Sequence, residues 1–304
     1  MTQINSSPAN PQRRLGLISG VASGACYGGM SFLIHITLGK APASEVAFLR
    51  AICAVVVLLP LIVRHGKQWL GRNSLLLWIR SGIGAISVLC FTWNLQHTSV
   101  GFANTLFNLA PIFVVLLGAS WGQEKLTGAR FVPIILVVLA STLFWHASRP
   151  EVNALVWVVG LGGMCAGAVA YSLLKTLPTF WSPFDITWCL NLATLPVAIL
   201  FKHEPWIVPV GRVGLFLGAI CGLSLIGNAL ANLSFRHLEL STATALVPSF
   251  IIWGVLLDIG EHKFPAIQGI AGCLLYLAAT VRLATKPVTA LPSVLSVAPA
   301  GSTD

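Results

Sequence analysis

Apolar residues run through this chain in long blocks, parted by short polar connectors. A helix needs about 20 mostly apolar residues to cross the hydrocarbon core of a bilayer. Ten stretches answer to that need: 15–36, 44–63, 74–96, 101–120, 130–147, 152–174, 184–201, 212–235, 240–259 and 265–284. The connectors gather charge and turn residues, as in Lys40-Ala41-Pro42, Arg64-His65-Gly66-Lys67 and Trp181-Ser182-Pro183. Spans four and nine have the weakest boundaries, because the connectors before them are short. The first span is too long, and too poor in a cleavage pattern, for a secretory signal. The pattern therefore predicts an all-α integral membrane protein with ten transmembrane helices.

Two stretches match each other. Gly101-Phe102-Ala103-Asn104-Thr105-Leu106-Phe107-Asn108-Leu109-Ala110-Pro111 runs on to Glu124-Lys125, and Leu238-Glu239-Leu240-Ser241-Thr242-Ala243-Thr244-Ala245-Leu246-Val247-Pro248 runs on to Glu261-His262. Thr105 pairs with Thr242, Pro111 with Pro248 and Glu124 with Glu261, each at an offset of 137. Cys26-Tyr27 and Ala170-Tyr171 fall at like places in spans one and six. A repeat of five spans is odd, so the second half is expected upside down relative to the first. The expected organisation is a tail at 1–14, a first repeat at 15–147, a second at 152–284 and a tail at 285–304. Inverted repeats are typical of secondary transporters, whose site lies near the midplane between the halves.

Composition narrows the picture further. The chain has 304 residues, of which 56% are hydrophobic and 9% charged. Soluble domains average about 25% charged residues, so this chain cannot clothe a soluble globule. A soluble enzyme, a nucleic-acid-binding domain and a disordered protein are all excluded on that ground. The net charge of +9 marks topology instead. With the N-terminus inside, 11 Lys and Arg fall on the cytoplasmic side, 5 fall opposite, and Arg50 and Arg80 lie within spans. Cytoplasmic loops collect basic residues, which predicts a multi-pass protein of the inner (cytoplasmic) membrane with both termini in the cytoplasm. The seven cysteines lie in predicted spans without a CxxC spacing and read as small packing residues. Neither disulfides nor metal is assigned to them.

Along nearly its whole length the chain resembles the EamA-type drug/metabolite transporter superfamily. The features that carry this are the two five-span halves, Glu45-Val46-Ala47-Phe48-Leu49-Arg50 entering span two, the small-residue run to Pro111, and Glu124-Lys125-Leu126-Thr127. The second half departs at Glu261-His262-Lys263-Phe264 and has no arginine matching Arg50. The resemblance implies a basket of ten helices, with spans one to four and six to nine around a central cavity and spans five and ten peripheral. It also implies export or exchange of small metabolites, often amino acids or related compounds.

A cation at mid-membrane costs about 2.5–3.5 kcal/mol on insertion scales and so faces a partner or a wet cavity. Arg50 is thus read either as a partner for a substrate carboxylate or for Glu45, or as a brace nearer the membrane surface. Span three carries Arg80, Gly84, Ser87, Phe91, Asn94 and Thr98 at helical spacing, which places them on one face. Span eight answers with Cys221, Ser224, Asn228 and Asn232, span four with Asn104, Asn108 and Pro111, and span seven with Asp185, Trp188 and Asn191. Such stripes line a cavity or bond helix to helix.

Among the aromatics, Tyr27, Trp93, Tyr171, Trp188 and Trp253 are candidate walls, while Trp69, Trp78, Trp121, Trp145 and Trp206 read as interfacial belt residues. Glycines at 16, 20, 24 and 28, and at 214, 218 and 222, read as small-residue stripes for close helix packing. The candidate substrate-binding residues are Arg50, Asn94, Asn108, Tyr27, Tyr171, Trp188 and Asn228. His35 and His97 are the proton-coupling candidates, with Asp185, Glu239 and Asp258 as rivals. Nothing resembles a phosphate loop, a metal cluster or a nucleophile–base–acid set, so neither an enzyme nor a cofactor is expected. The expected partners are a small-molecule substrate and the lipid bilayer, with a homodimer allowed and no nucleic acid.

The function expected is export of a small polar, amino-acid-like metabolite by alternating access. Import or exchange of a vitamin or nucleotide-linked metabolite, riboflavin-like, is one alternative. A non-transporting membrane receptor or enzyme is the alternative of another class.

Overall fold

A computed structural model describes residues 11–37, 41–65, 74–98, 100–107, 109–120, 132, 135–136, 138–140, 142–143, 153–174, 176–177, 181–202, 204–206, 210–238, 242–243, 246 and 267–285. Among these residues every regular element is helical: α1 Pro11–Ile36, α2 Ala43–His65, α3 Leu75–His97, α4 Val100–Phe107, α5 Ala110–Ser120, α6 Ala154–Leu174, α7 Pro183–Leu200, α8 Gly211–His237 and α9 Ile267–Thr285. Six of them, α1, α2, α3, α6, α7 and α8, are long and apolar enough to cross a membrane. They coincide with predicted spans one to three and six to eight. The other four predicted spans fall on shorter helices or partly outside the described residues.

Local chemistry accounts for several helix ends. Ser182 caps α7, its hydroxyl accepting from the Asp185 backbone N–H while the Asp185 carboxylate accepts from the Ser182 N–H at 2.8 Å. This reciprocal box satisfies two otherwise orphaned donors, and Pro183 follows at the position where its missing N–H costs nothing. The predicted fourth span is split in two. A proline leaves the carbonyl four residues back without a donor but is tolerated in the first turn of a helix. Accordingly α4 stops at Phe107, Leu109 makes a turn, and α5 begins one residue ahead of Pro111.

Helices pair in a definite pattern. α1 packs along α8, α3 along α6, and α2 along α7, with α3 also against α7 and α2 also against α8. Glycines lie at two of these contacts. On α1, a Cβ at Gly16 would meet Leu238 at 2.8 Å and one at Gly20 would meet Leu246 at 2.8 Å. On α6, Gly160 faces Asn94, Gly163 lies against Cys90, and a Cβ at Gly167 would meet the Ser87 hydroxyl at 2.8 Å. The glycine stripe read on span eight behaves otherwise: Gly218 and Gly222 have open space where a Cβ would stand. The close approach of α8 is made by Gly227, against Cys26 and Tyr27.

The outward faces carry apolar side chains such as Val57, Val63, Leu155, Leu200, Leu215 and Leu274. Inside, hydroxyl side chains bond their own helix one turn back. Ser172 donates to the Ala168 carbonyl at 2.9 Å and Thr194 to the Leu190 carbonyl at 2.8 Å. Such bonds let polar groups sit in apolar surroundings without a distant partner.

Candidate functional site

Arg50 lies on the second turn of α2 and is 4% exposed. Its Nε donates to the Ser224 hydroxyl at 3.1 Å and its Nη1 to the Thr92 hydroxyl at 3.4 Å. One turn beyond Ser224, Asn228 donates to the Ser224 carbonyl at 2.8 Å, and its Oδ1 accepts from the Tyr27 hydroxyl at 3.0 Å. Tyr27, Asn228, Ser224, Arg50 and Thr92 thus form one polar chain across α1, α8, α2 and α3. Arg50 is therefore a buried tie between helices. The hydrogen bonds run to two uncharged hydroxyls, where the sequence reading offered Glu45. A guanidinium so placed keeps donors for a carboxylate, which it can grip through two parallel N–H groups.

The stripe on α3 divides along its length. Near the N-terminus, Arg80 is 3% exposed, and its Nε and Nη1 have no hydrogen-bond partner among the described residues. One turn later Gly84 abuts Leu190 and Ala170, so this face looks toward α6 and α7. Tyr171, next to Ala170, stacks its ring on Phe235 with centroids 4.9 Å apart. Further along, Ser87 donates to the Gly163 carbonyl at 2.7 Å. Asn94 is wholly buried, bonds back to the Cys90 carbonyl at 3.1 Å, and leaves Oδ1 without a partner. Ser87 and Asn94 sit within the α3–α6 contact, bonding or packing helix on helix.

The remaining candidates scatter. Trp188 on α7 donates its indole N–H to the Val55 carbonyl of α2 at 3.2 Å, a tie between two helices. His35 has a buried Nδ1 without a hydrogen-bond partner. His97 is exposed, its Nδ1 2.8 Å from the Trp93 carbonyl and its ring stacked on Trp93 at 3.8 Å. Asp185 is committed to the α7 cap. Trp206, read as a belt residue, bonds the Ser44 hydroxyl at 3.2 Å and packs on Phe48, bracing the start of α2. Asn108, Glu239, Trp253 and Asp258 lie outside the described residues.

Sequence reasoning passed over two threonines. Thr92 receives Arg50, and Thr187 receives the Asn232 amide at 2.9 Å. A threonine in an apolar helix carries no signal beyond its own backbone bond. Only its offset from the Arg80–Asn94 stripe could have raised Thr92.

Three comparisons bear on this arrangement. Residues 14–145 match the model of the EamA-like transporter family. The chain is 26% identical over 277 residues to the pseudopaline exporter CntI of Pseudomonas aeruginosa, covering 88% of this chain and 95% of that one. It is 25% identical over 248 residues to an S-adenosylmethionine uptake transporter of Rickettsia bellii, covering 78% and 82% respectively. A crystal structure of a protein at 16% identity aligns with a TM-score of 0.67, covering 89% of this chain and 96% of the other, and so shares its fold. The matched relatives are named as transporters and not as enzymes, and the chain is a multi-pass helical membrane protein. The family match lies in the first half of the chain and is consistent with the drug/metabolite transporter superfamily that the sequence resembles.

Proposed function

We propose that this protein is a secondary active transporter that exports a small polar, amino-acid-like metabolite across the cytoplasmic membrane. The observation that carries the reading is Arg50, a buried guanidinium whose hydrogen bonds go to neutral hydroxyls in a chain that joins Tyr27, Asn228 and Thr92. An intramembrane cation without a charged hydrogen-bond partner suits a substrate carboxylate. The pairing of α1 with α8 and of α3 with α6 supports ten spans in two inverted halves. Shifting each helix of one pair by five spans produces the other pair, and α2 with α7 maps onto itself. Substrate binding is assigned to Arg50, Tyr27, Asn94, Asn108, Tyr171, Trp188 and Asn228 between the halves. Both termini face the cytoplasm, on the basic-residue bias of the connectors. Export is favoured by the CntI relative, while the uptake transporter of Rickettsia bellii supports the opposite direction as a second reading.

Flux from proteoliposomes loaded with a panel of amino acids and related metabolites tests this. The wild-type protein should release at least one carboxylate-bearing compound, and both Arg50→Ala and Asn108→Ala should abolish most of that flux while remaining folded. Full flux in both variants would remove the proposed site.

A further inference from the structure

The bundle has two polar clusters at different heights. The Arg50 cluster adjoins an apolar plug of Met30, Ile34, Val46, Leu95, Leu217 and Ile220, at the end where α1 leads into α2. Arg80 adjoins a second plug of Leu77, Leu177, Trp181, Ile186 and Cys189, at the end where α2 leads into α3. Thr92, which receives Arg50, stands 12 residues beyond Arg80 on the same helix, which at 1.5 Å per residue is about 18 Å. The two guanidinium groups therefore belong to different levels of the bundle, with Tyr27 near both.

Their surroundings correspond. Around Arg50 stand a tyrosine of the first helix of one half, Tyr27, and polar groups of α8. Toward Arg80 stand the tyrosine at the like place in the other half, Tyr171 beside Ala170, Tyr27 as well, and the α3 face that pairs with α6. The sequence lacks an arginine in the second half at the position matching Arg50. Arg80, on α3, is a second buried arginine. The difference lies in satisfaction: Arg50 has its two hydroxyl partners, while Arg80 has none at Nε or Nη1 although it is 3% exposed. Asp185, the acid nearest this end of α7, spends its Oδ2 on the Ser182 backbone N–H. A guanidinium whose buried Nε and Nη1 lack partners is costly and is expected where a partner arrives from outside the chain.

We propose that Arg80 is a second anion station, which grips a carboxylate of the substrate when the plug beside it opens. Arg50 holds the carboxylate at the other level, so that an anionic group passes between two fixed cations. This deepens the transport reading and rests on it, but its central test needs no flux. The full-length protein in lipid nanodiscs is treated with phenylglyoxal, an arginine-selective reagent. Peptide mass spectrometry then follows Arg80, with exposed Arg14 and Arg212 as references.

Arg80 should react more slowly than the references. Millimolar succinate or glutamate should slow it severalfold further, succinamide and glutamine should not, and Arg212 should ignore all four. No adduct at Arg80 when Arg212 has reacted fully, or equal protection by acids and amides, would overturn the proposal.

Two variants separate a site from a structural brace. Arg80→Gln should unfold at no lower temperature than the wild type, because no hydrogen bond at Nε or Nη1 is lost. In proteoliposomes it should weaken half-saturation for a carboxylate substrate by about tenfold or more, the loss of a charged hydrogen bond, with Arg80→Lys recovering part. A marked loss of stability in Arg80→Gln without a change in half-saturation would overturn the station. Absence of any wild-type flux would instead count against the transport reading, leaving the labelling result to stand alone.

Discussion

Single residues in this protein are read most securely by their hydrogen bonds. The sequence marked Arg50, Tyr27 and Asn228 as separate candidates, and the structure joins them through Ser224. It could not show that join, because Tyr27 and Asn228 are 201 positions apart and no local period links them. Trp188 and Trp206 were legible as polar-tipped aromatics, yet their indole N–H groups are engaged with Val55 and Ser44. The Tyr27–Asn228 bond lends itself to a double-mutant cycle of Tyr27→Phe and Asn228→Leu. Interhelical bonds in membrane proteins average about 0.6 kcal/mol, and a coupling of that size is expected from unfolding in mixed micelles. A coupling of zero would mean that the two side chains act independently. Tyr27→Phe should also leave Arg50 in place, since the guanidinium is held by Ser224 and Thr92, so its effect on flux should be far smaller than that of Arg50→Ala.

At the scale of helices, hydropathy located the long spans well, and small residues located contacts only in part. Gly16 and Gly20 are pressed against Leu238 and Leu246, as the stripe on span one suggested. The equally regular stripe on span eight points Gly218 into open space, while α6 packs through Gly160, Gly163 and Gly167. A four-residue period shows that a face is small without showing what meets it. The distinction is measurable. Gly163→Ala would drive a Cβ into Cys90 and Phe107, and overpacking of this kind costs about 1–3 kcal/mol. Gly218→Ala meets nothing and replaces glycine by the best helix former, so it should stabilise by up to about 1 kcal/mol. Thermal unfolding in detergent should therefore move in opposite directions for the two variants. Equal shifts would contradict the α3–α6 packing described here.

For the molecule as a whole, the odd repeat and the helix pairing meet at one point. The sequence set Thr105, Pro111 and Glu124 against Thr242, Pro248 and Glu261, a match that runs through spans four and nine and just past them. The pairing of α1 with α8 and of α3 with α6 comes from other spans and obeys the same shift of five. Neither the break between α4 and α5 nor these pairings could be seen in hydropathy, which records how greasy a segment is and not which neighbour it meets. If the two halves rock about the polar chain, a side chain in that chain must become reachable from each side in turn. All seven cysteines are unpaired, so a cysteine-free background carrying Asn228→Cys can be labelled with a membrane-impermeant maleimide. Right-side-out and inverted vesicles should both give adduct, because Asn228 lies beside Arg50 and not within a permanently sealed end. Saturating substrate should then slow both reactions, since occupancy of Arg50 covers its neighbour. Labelling from one side alone, under every condition, would fit a receptor or a membrane enzyme and would end the alternating-access account.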